Sequence, residues 1–148
     1  MKKKLLGFAF IIVGTFAGAA HAQRNVTPAI DRDPLMETDA KHNLDVAWQS
    51  FQLKKAYKGV LSRFEETYAA YPTFSKIDEF LYLAGMSSYY LAEGKGKQKV
   101  DLKLDKEKAK YEPAKLRADA ATYLKELVEK HPDSKYAADA KKTLDLIK

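Results

Sequence analysis

The chain has 148 residues, with 26 Lys and Arg against 20 Asp and Glu, a formal net charge of +6 and no cysteine. The missing cysteine excludes disulfides and thiolate metal sites, so packing must supply the stability. The length suits one domain with a real core.

Lys2, Lys3 and Lys4 form a positive start, followed by an apolar stretch from Leu5 to Gly18 and the small-residue site Ala20-His21-Ala22. That order is a secretory signal, expected to be cut after Ala22. The apolar run is too short, and too rich in Gly and Ala, to span a bilayer comfortably. Gln23 follows the cut rather than cysteine, so a soluble periplasmic product without a lipid anchor is expected. Removing three lysines leaves 23 basic residues against 20 acidic ones. Between Gly94 and Lys115, eight lysines face four carboxylates, so that segment exceeds the whole remaining excess. An exported chain rarely meets nucleic acid, so an anionic membrane surface or acidic partner is the functional reading of the lysines. A solvated loop is the plain one.

Residues 23–37, with Pro28 and Pro34 and no apolar period, read as a flexible leader. A helical domain is expected over 38–148. Thr38 or Asp39 would cap a run in which Leu44, Ala47, Trp48 and Phe51 recur at three and four, continued by Tyr57, Val60, Leu61, Phe64 and Tyr68. Whether this is one helix or two is left open by the pattern, and Gly59 is its weak point. Pro72 ends it. A second helix from Ser75 or Lys76 is apolar nearly all round and so belongs inside a stack, ending at Gly94 and Gly96. Residues 94–112 read as a Lys-rich insertion rather than a strand, because a lone strand has no partner. A third helix runs from Pro113 to Lys130 and stops at Pro132. Asp133 or Ser134 would cap the last one, whose stripe is Tyr136, Ala140, Leu144 and Ile147.

Aligning Pro72 with Pro132, sixty positions apart, sets Phe64 against Leu124 and Val60 against Ala120. A small residue for close helix approach, a bulky one between hairpins and a helix-breaking proline resemble the second half of a tetratricopeptide repeat. Leu81, Ala84 and Gly85 resemble its first helix, with the glycine permitting close contact. Tyr123 to Ala137, with the Pro132-Asp133-Ser134 turn, resembles the BamD-like outer-membrane lipoprotein family. The resemblance covers Val46 to Ile147. It implies an all-α fold of antiparallel helical hairpins stacked as a short tetratricopeptide-like solenoid, and a role in scaffolding outer-membrane protein assembly. The repeat pattern also implies a groove whose lining would be Glu79, Tyr82, Met86 and Tyr89. Either these side chains bind a peptide of another envelope protein, or they pack against the first and third helices.

No constellation suggests catalysis. There is no metal-ligating His pair, phosphate loop or nucleophile elbow. The acidic pairs Glu65-Glu66 and Asp78-Glu79 are adjacent on helices and point apart. The expectation is a non-catalytic periplasmic adaptor with no cofactor and no metal. The rivals are an accessory subunit or inhibitor of a secreted enzyme, and an anionic-surface binder using Lys95, Lys97, Lys99 and Lys103.

Overall fold

A computed structural model describes residues 32–147. The expected signal, 1–22, and most of the expected leader lie outside the described residues. The first helix, α1 (Pro34–Gln49), starts four residues before the expected cap. Asp33 is the N-cap, its Oδ1 accepting the backbone N–H groups of Leu35 at 2.8 Å and Met36 at 3.2 Å. Pro34 takes the first helical position, where its missing N–H costs nothing. Thr38, inside the helix, instead donates its hydroxyl to the Pro34 carbonyl at 2.8 Å.

The run from residue 38 to 71 is two helices, and Gly59 is not the break. A π-turn over Ser50–Lys54 widens the helix end, and Lys55 then takes left-handed backbone angles (φ 50°). The chain re-enters helix at once as α2 (Tyr57–Ala70), leaving Gly59 in its first turn. Next come α3 (Ile77–Ala92), a short α4 (Asp105–Tyr111), α5 (Pro113–Lys130) and α6 (Ala137–Ile147). Among the described residues there is no strand, so the Val100 to Asp105 alternation is not one.

The helices stack as antiparallel hairpins. Arg117 near the start of α5 pairs with Glu93 just past the end of α3 at 3.0 Å. Beyond the other end of α5, Ser134 donates to Asp78 Oδ2 at the start of α3 at 2.7 Å. The seam between α3 and α5 is the tightest in the molecule. A Cβ at Gly85 would sit 2.5 Å from both Cγ and Cδ2 of Leu124. Val60, Ala120 and Leu124 are fully buried and Phe64 nearly so. Phe64 packs edge-on to Phe80 at 5.8 Å and to Tyr123 at 4.8 Å, so one ring joins α2, α3 and α5.

Both proline turns have the same backbone bonding. After α2, Tyr71 N–H reaches Thr67, Phe74 N–H reaches Tyr71, and Ile77 N–H reaches Phe74. After α5, His131 N–H reaches Leu127, Ser134 N–H reaches His131, and Ala137 N–H reaches Ser134. Ser134, expected as a helix cap, lies in the turn, where its Oγ accepts the Tyr136 N–H at 3.3 Å. Pro72 and Pro132 are exposed at corresponding places.

Candidate protein-binding surface

Helices α1, α3 and α6 lie side by side, with α3 in the middle. Tyr136 and Thr143 of the α6 segment meet Tyr82 and Met86, so α6 runs in the same direction as α3. Along this face the aromatic rings form a continuous ribbon. Tyr82 stacks on Tyr136 at 4.6 Å, Tyr136 meets Trp48 at 5.9 Å, and Trp48 meets Phe51 edge-on at 6.1 Å. Phe51 continues to Tyr90 at 5.9 Å, and Tyr90 to Tyr89 at 5.9 Å. Tyr57 closes the far end behind Phe51 and Tyr90 at 5.5 and 5.2 Å. Tyr57 is buried, while the other six rings are half-buried and so keep part of their surface on the face.

Glu79 fixes one end of the ribbon. Its Oε2 accepts the Trp48 indole N–H at 3.0 Å and the Tyr136 hydroxyl at 3.3 Å. Lys76 stands 4.0 Å from the other carboxylate oxygen. One carboxylate therefore orients a ring of α1 and a ring of the turn before α6, and the arrangement is set before any ligand arrives. Burial raises the pKa of the Tyr82 hydroxyl, with the Asp139 carboxylate adding to it. Burial raises that of Tyr136 as well. At neutral pH Tyr82 and Tyr136 thus offer neutral phenols beside the ring surfaces, chemistry suited to an apolar peptide with polar edges.

The four groove residues expected from sequence divide by depth. Glu79, Tyr82 and Met86 come together around Tyr136 and Thr143. Met86 is 8% exposed, beneath the Thr143 hydroxyl 3.4 Å from its sulfur. Tyr89 lies at the far end, with the Lys95 ammonium 5.8 Å from its ring. Trp48, Phe51, Tyr90 and Tyr136 share the face but were not expected on it. Their helical spacing in sequence signals burial of each stripe. Only the side-by-side register of α1, α3 and α6 makes them one surface.

The lysine segment is docked against the start of α2. Lys97 N–H reaches the Lys55 carbonyl at 3.0 Å, and Gln98 Oε1 accepts the Gly59 N–H at 3.3 Å. Lys58 donates to the Lys99 carbonyl at 2.6 Å and pairs with Glu107 at 2.7 Å. The Lys58 hydrogen bond and the Asp101 N–H together lower the Glu107 pKa. Gly96 (φ 108°) lies so close that a Cβ there would be 2.8 Å from the Tyr57 ring. Lys95, Lys97, Lys99 and Lys103 are all exposed. Among the described residues, no cluster of His, Asp and Glu could hold a metal ion, and no helix is long and apolar enough to cross a membrane.

No curated protein and no solved structure matches the chain significantly. A family model, YfiO, described as an outer membrane lipoprotein, matches residues 19–148. The match takes in every helix described above, both proline turns and the docked segment, and the chain therefore belongs to the YfiO family of outer membrane lipoproteins.

Proposed function

We propose that the protein is a non-catalytic periplasmic adaptor. It binds another envelope protein, or an extended peptide of one, on the face of α1, α3 and α6, in outer-membrane protein assembly or envelope organisation. The observation that carries this reading is the half-buried ribbon of rings, oriented by Glu79 and open along one side. Tyrosine and tryptophan give large contact area with few rotamers to freeze, which favours interface use. The signal pattern of residues 1–22 supports export, and the family description supports an outer-membrane setting.

Capture of envelope proteins, run beside a thermal melt, tests the reading. Tyr82→Ser/Tyr89→Ser should weaken capture far more than it lowers the melting temperature. Normal capture by the folded variant would sink the reading, and recovery of a single secreted hydrolase would favour the accessory-subunit rival. Mass spectrometry of the envelope fraction should find the N-terminus at Gln23. A full-length product held in the inner membrane would overturn the export step.

A further inference from the structure

The turn between α1 and α2 and the segment between α3 and α5 lie at the same end of the helical stack. Together, residues 50–56 and 93–112 carry nine lysines and five carboxylates. The backbone bond from Lys97 to Lys55 places two sequence-distant lysine groups side by side. Lys54, Lys55, Lys95, Lys97, Lys99 and Lys103 are exposed, and among the described residues none of them meets a carboxylate at ion-pair distance. Several other lysines are held by carboxylates, Lys110 of the same segment among them. Lys110 pairs with Glu65, Lys115 with Asp119, Lys125 with Glu129 and Lys130 with Glu126.

The carboxylates at this end are largely committed elsewhere. Glu93 holds Arg117, Glu107 holds Lys58, and Asp101 accepts the Lys103 backbone N–H at 3.0 Å, leaving Asp105 and Glu112. Exposed leucines gather at the same end. Leu53 is 73% exposed, Leu102 44% and Leu104 55%, and Leu146 at the end of α6 is 69% exposed. Among the described residues, Leu35 is the large apolar side chain exposed at the opposite end. Unpaired lysines interleaved with exposed leucines, on a segment tethered by several hydrogen bonds, are more than a solvated charge run. Lysine stems cover apolar surface while their heads reach phosphate, and leucines enter the interfacial zone.

We propose that this end of the stack is a peripheral membrane-contact surface for a bilayer rich in anionic phospholipid. The lysines face lipid phosphates and Leu102 and Leu104 enter the headgroup boundary. The two surfaces adjoin where Lys95 stands over the Tyr89 and Tyr90 rings, at 5.8 and 5.4 Å, but the lysines and leucines named here, Lys95 apart, touch none of the ribbon's rings in a ring contact or cation–ring pair.

The test is sedimentation of the full chain with vesicles of phosphatidylglycerol mixed into phosphatidylcholine, and with phosphatidylcholine alone, at low and high salt. Binding should appear on the anionic vesicles and fall as salt rises. Lys95→Glu/Lys97→Glu/Lys99→Glu should weaken it roughly a hundredfold, each lysine near the surface counting for several-fold. The matched charge change Lys41→Glu/Lys125→Glu/Lys135→Glu should weaken it much less, because those exposed lysines lie elsewhere. Leu102→Ser/Leu104→Ser should weaken it while leaving the salt dependence. Should the glutamate triple prove unfolded by thermal melt, the glutamine triple at the same positions replaces it and should still lose binding. Equal sedimentation with both vesicle types overturns the proposal, as does equal loss in the matched control set. Retention on an acidic protein without retention on vesicles overturns it too.

Discussion

The segments α2-turn-α3 and α5-turn-α6, offset by sixty residues, share their turn bonding but differ in what their second helix meets. Phe80 and Ala140 are both fully buried, and both turns close on the same sequence of backbone bonds. Further along, the correspondence ends. Leu81 is fully buried while its counterpart Lys141 is exposed, and Gly85, pressed on Leu124, has Asp145 as its counterpart. Helix α3 is interior, covered by α5. Helix α6 is the edge, where a groove of about 560 Å³ runs over Ala121, Leu144 and Ile147, rimmed by Lys125, Lys141 and Asp145. The turn is written locally and repeats. Burial is set by position in the stack, and the edge helix carries charge where the interior one carries leucine and glycine.

That comparison can be broken most sharply at its shared positions. Phe64→Ala should destabilise by roughly 3–5 kcal/mol and Leu124→Ala by roughly 2–5 kcal/mol, because each empties a fully packed site. An unchanged denaturation midpoint for either would refute the stacking seam. The interior and edge should then part company. Leu81→Ala should cost roughly 2–5 kcal/mol, whereas Lys141→Ala should stay within about 0.5 kcal/mol. Equal losses at the two would make α6 an interior helix.

Gly85→Ala tests the contact itself. Alanine improves helix propensity by about 1 kcal/mol, but the overlap with buried Leu124 should outweigh that, leaving net destabilisation on the order of 1 kcal/mol. In the Leu124→Ala background the same change should be neutral or stabilising, and additive effects would place the glycine elsewhere.

Tyr123 joins the two segments at Phe64, and burial, with nearby Asp119 and Glu65, pushes its pKa from 10.0 up to about 12. A raised folded-state value means stability complete below pH 10 and lost as pH rises through about 12. Tyr123→Phe should flatten that alkaline fall, and an unaltered pH profile of the melt would count against the burial. The smallest effect is expected at the Lys58–Glu107 tether. Glu107→Gln should speed hydrogen exchange at Asp101 and Lys97 while hardly moving the melting temperature. In the wild type, the same loosening should set in as pH falls through the lowered Glu107 pKa, since a depressed carboxylate stabilises only while ionised.

Much of the stack was legible. Pro113 and Pro132 bound α5 where the pattern set them, and Gly85 lies against the seam that the small-residue spacing implied. The start of α1 was missed because two prolines masked a good cap. Asp33 and Pro34 together begin a helix that Met36 and Ala40 then bury. The break at Ser50–Lys55 carries no glycine or proline, and a left-handed lysine has no sequence signature. For the candidate surface, Tyr82 and Tyr89 could be counted from Gly85 along one helix. Trp48 and Tyr136 could not, because their membership depends on how three helices lie beside one another. The tethers of the lysine segment to Lys55, Lys58 and Gly59 span about forty residues and leave no periodic trace.

Those tethers also bear on chain entropy. Residues 71–76 join α2 to α3, whereas residues 93–112 join α3 to α5. Closing a flexible connection of the second length rather than the first costs about 1 kcal/mol more, since the penalty grows only with the logarithm of length. The Lys58–Glu107 pair and the bonds to Lys55 and Gly59 fix the long connection to α2, which is already part of the first hairpin. Closure can therefore proceed in two shorter steps, docking to α2 and then the return to α5. A chain with the tethers removed should fold more slowly while unfolding at nearly the same rate, if docking precedes the closing of the α3–α5 seam.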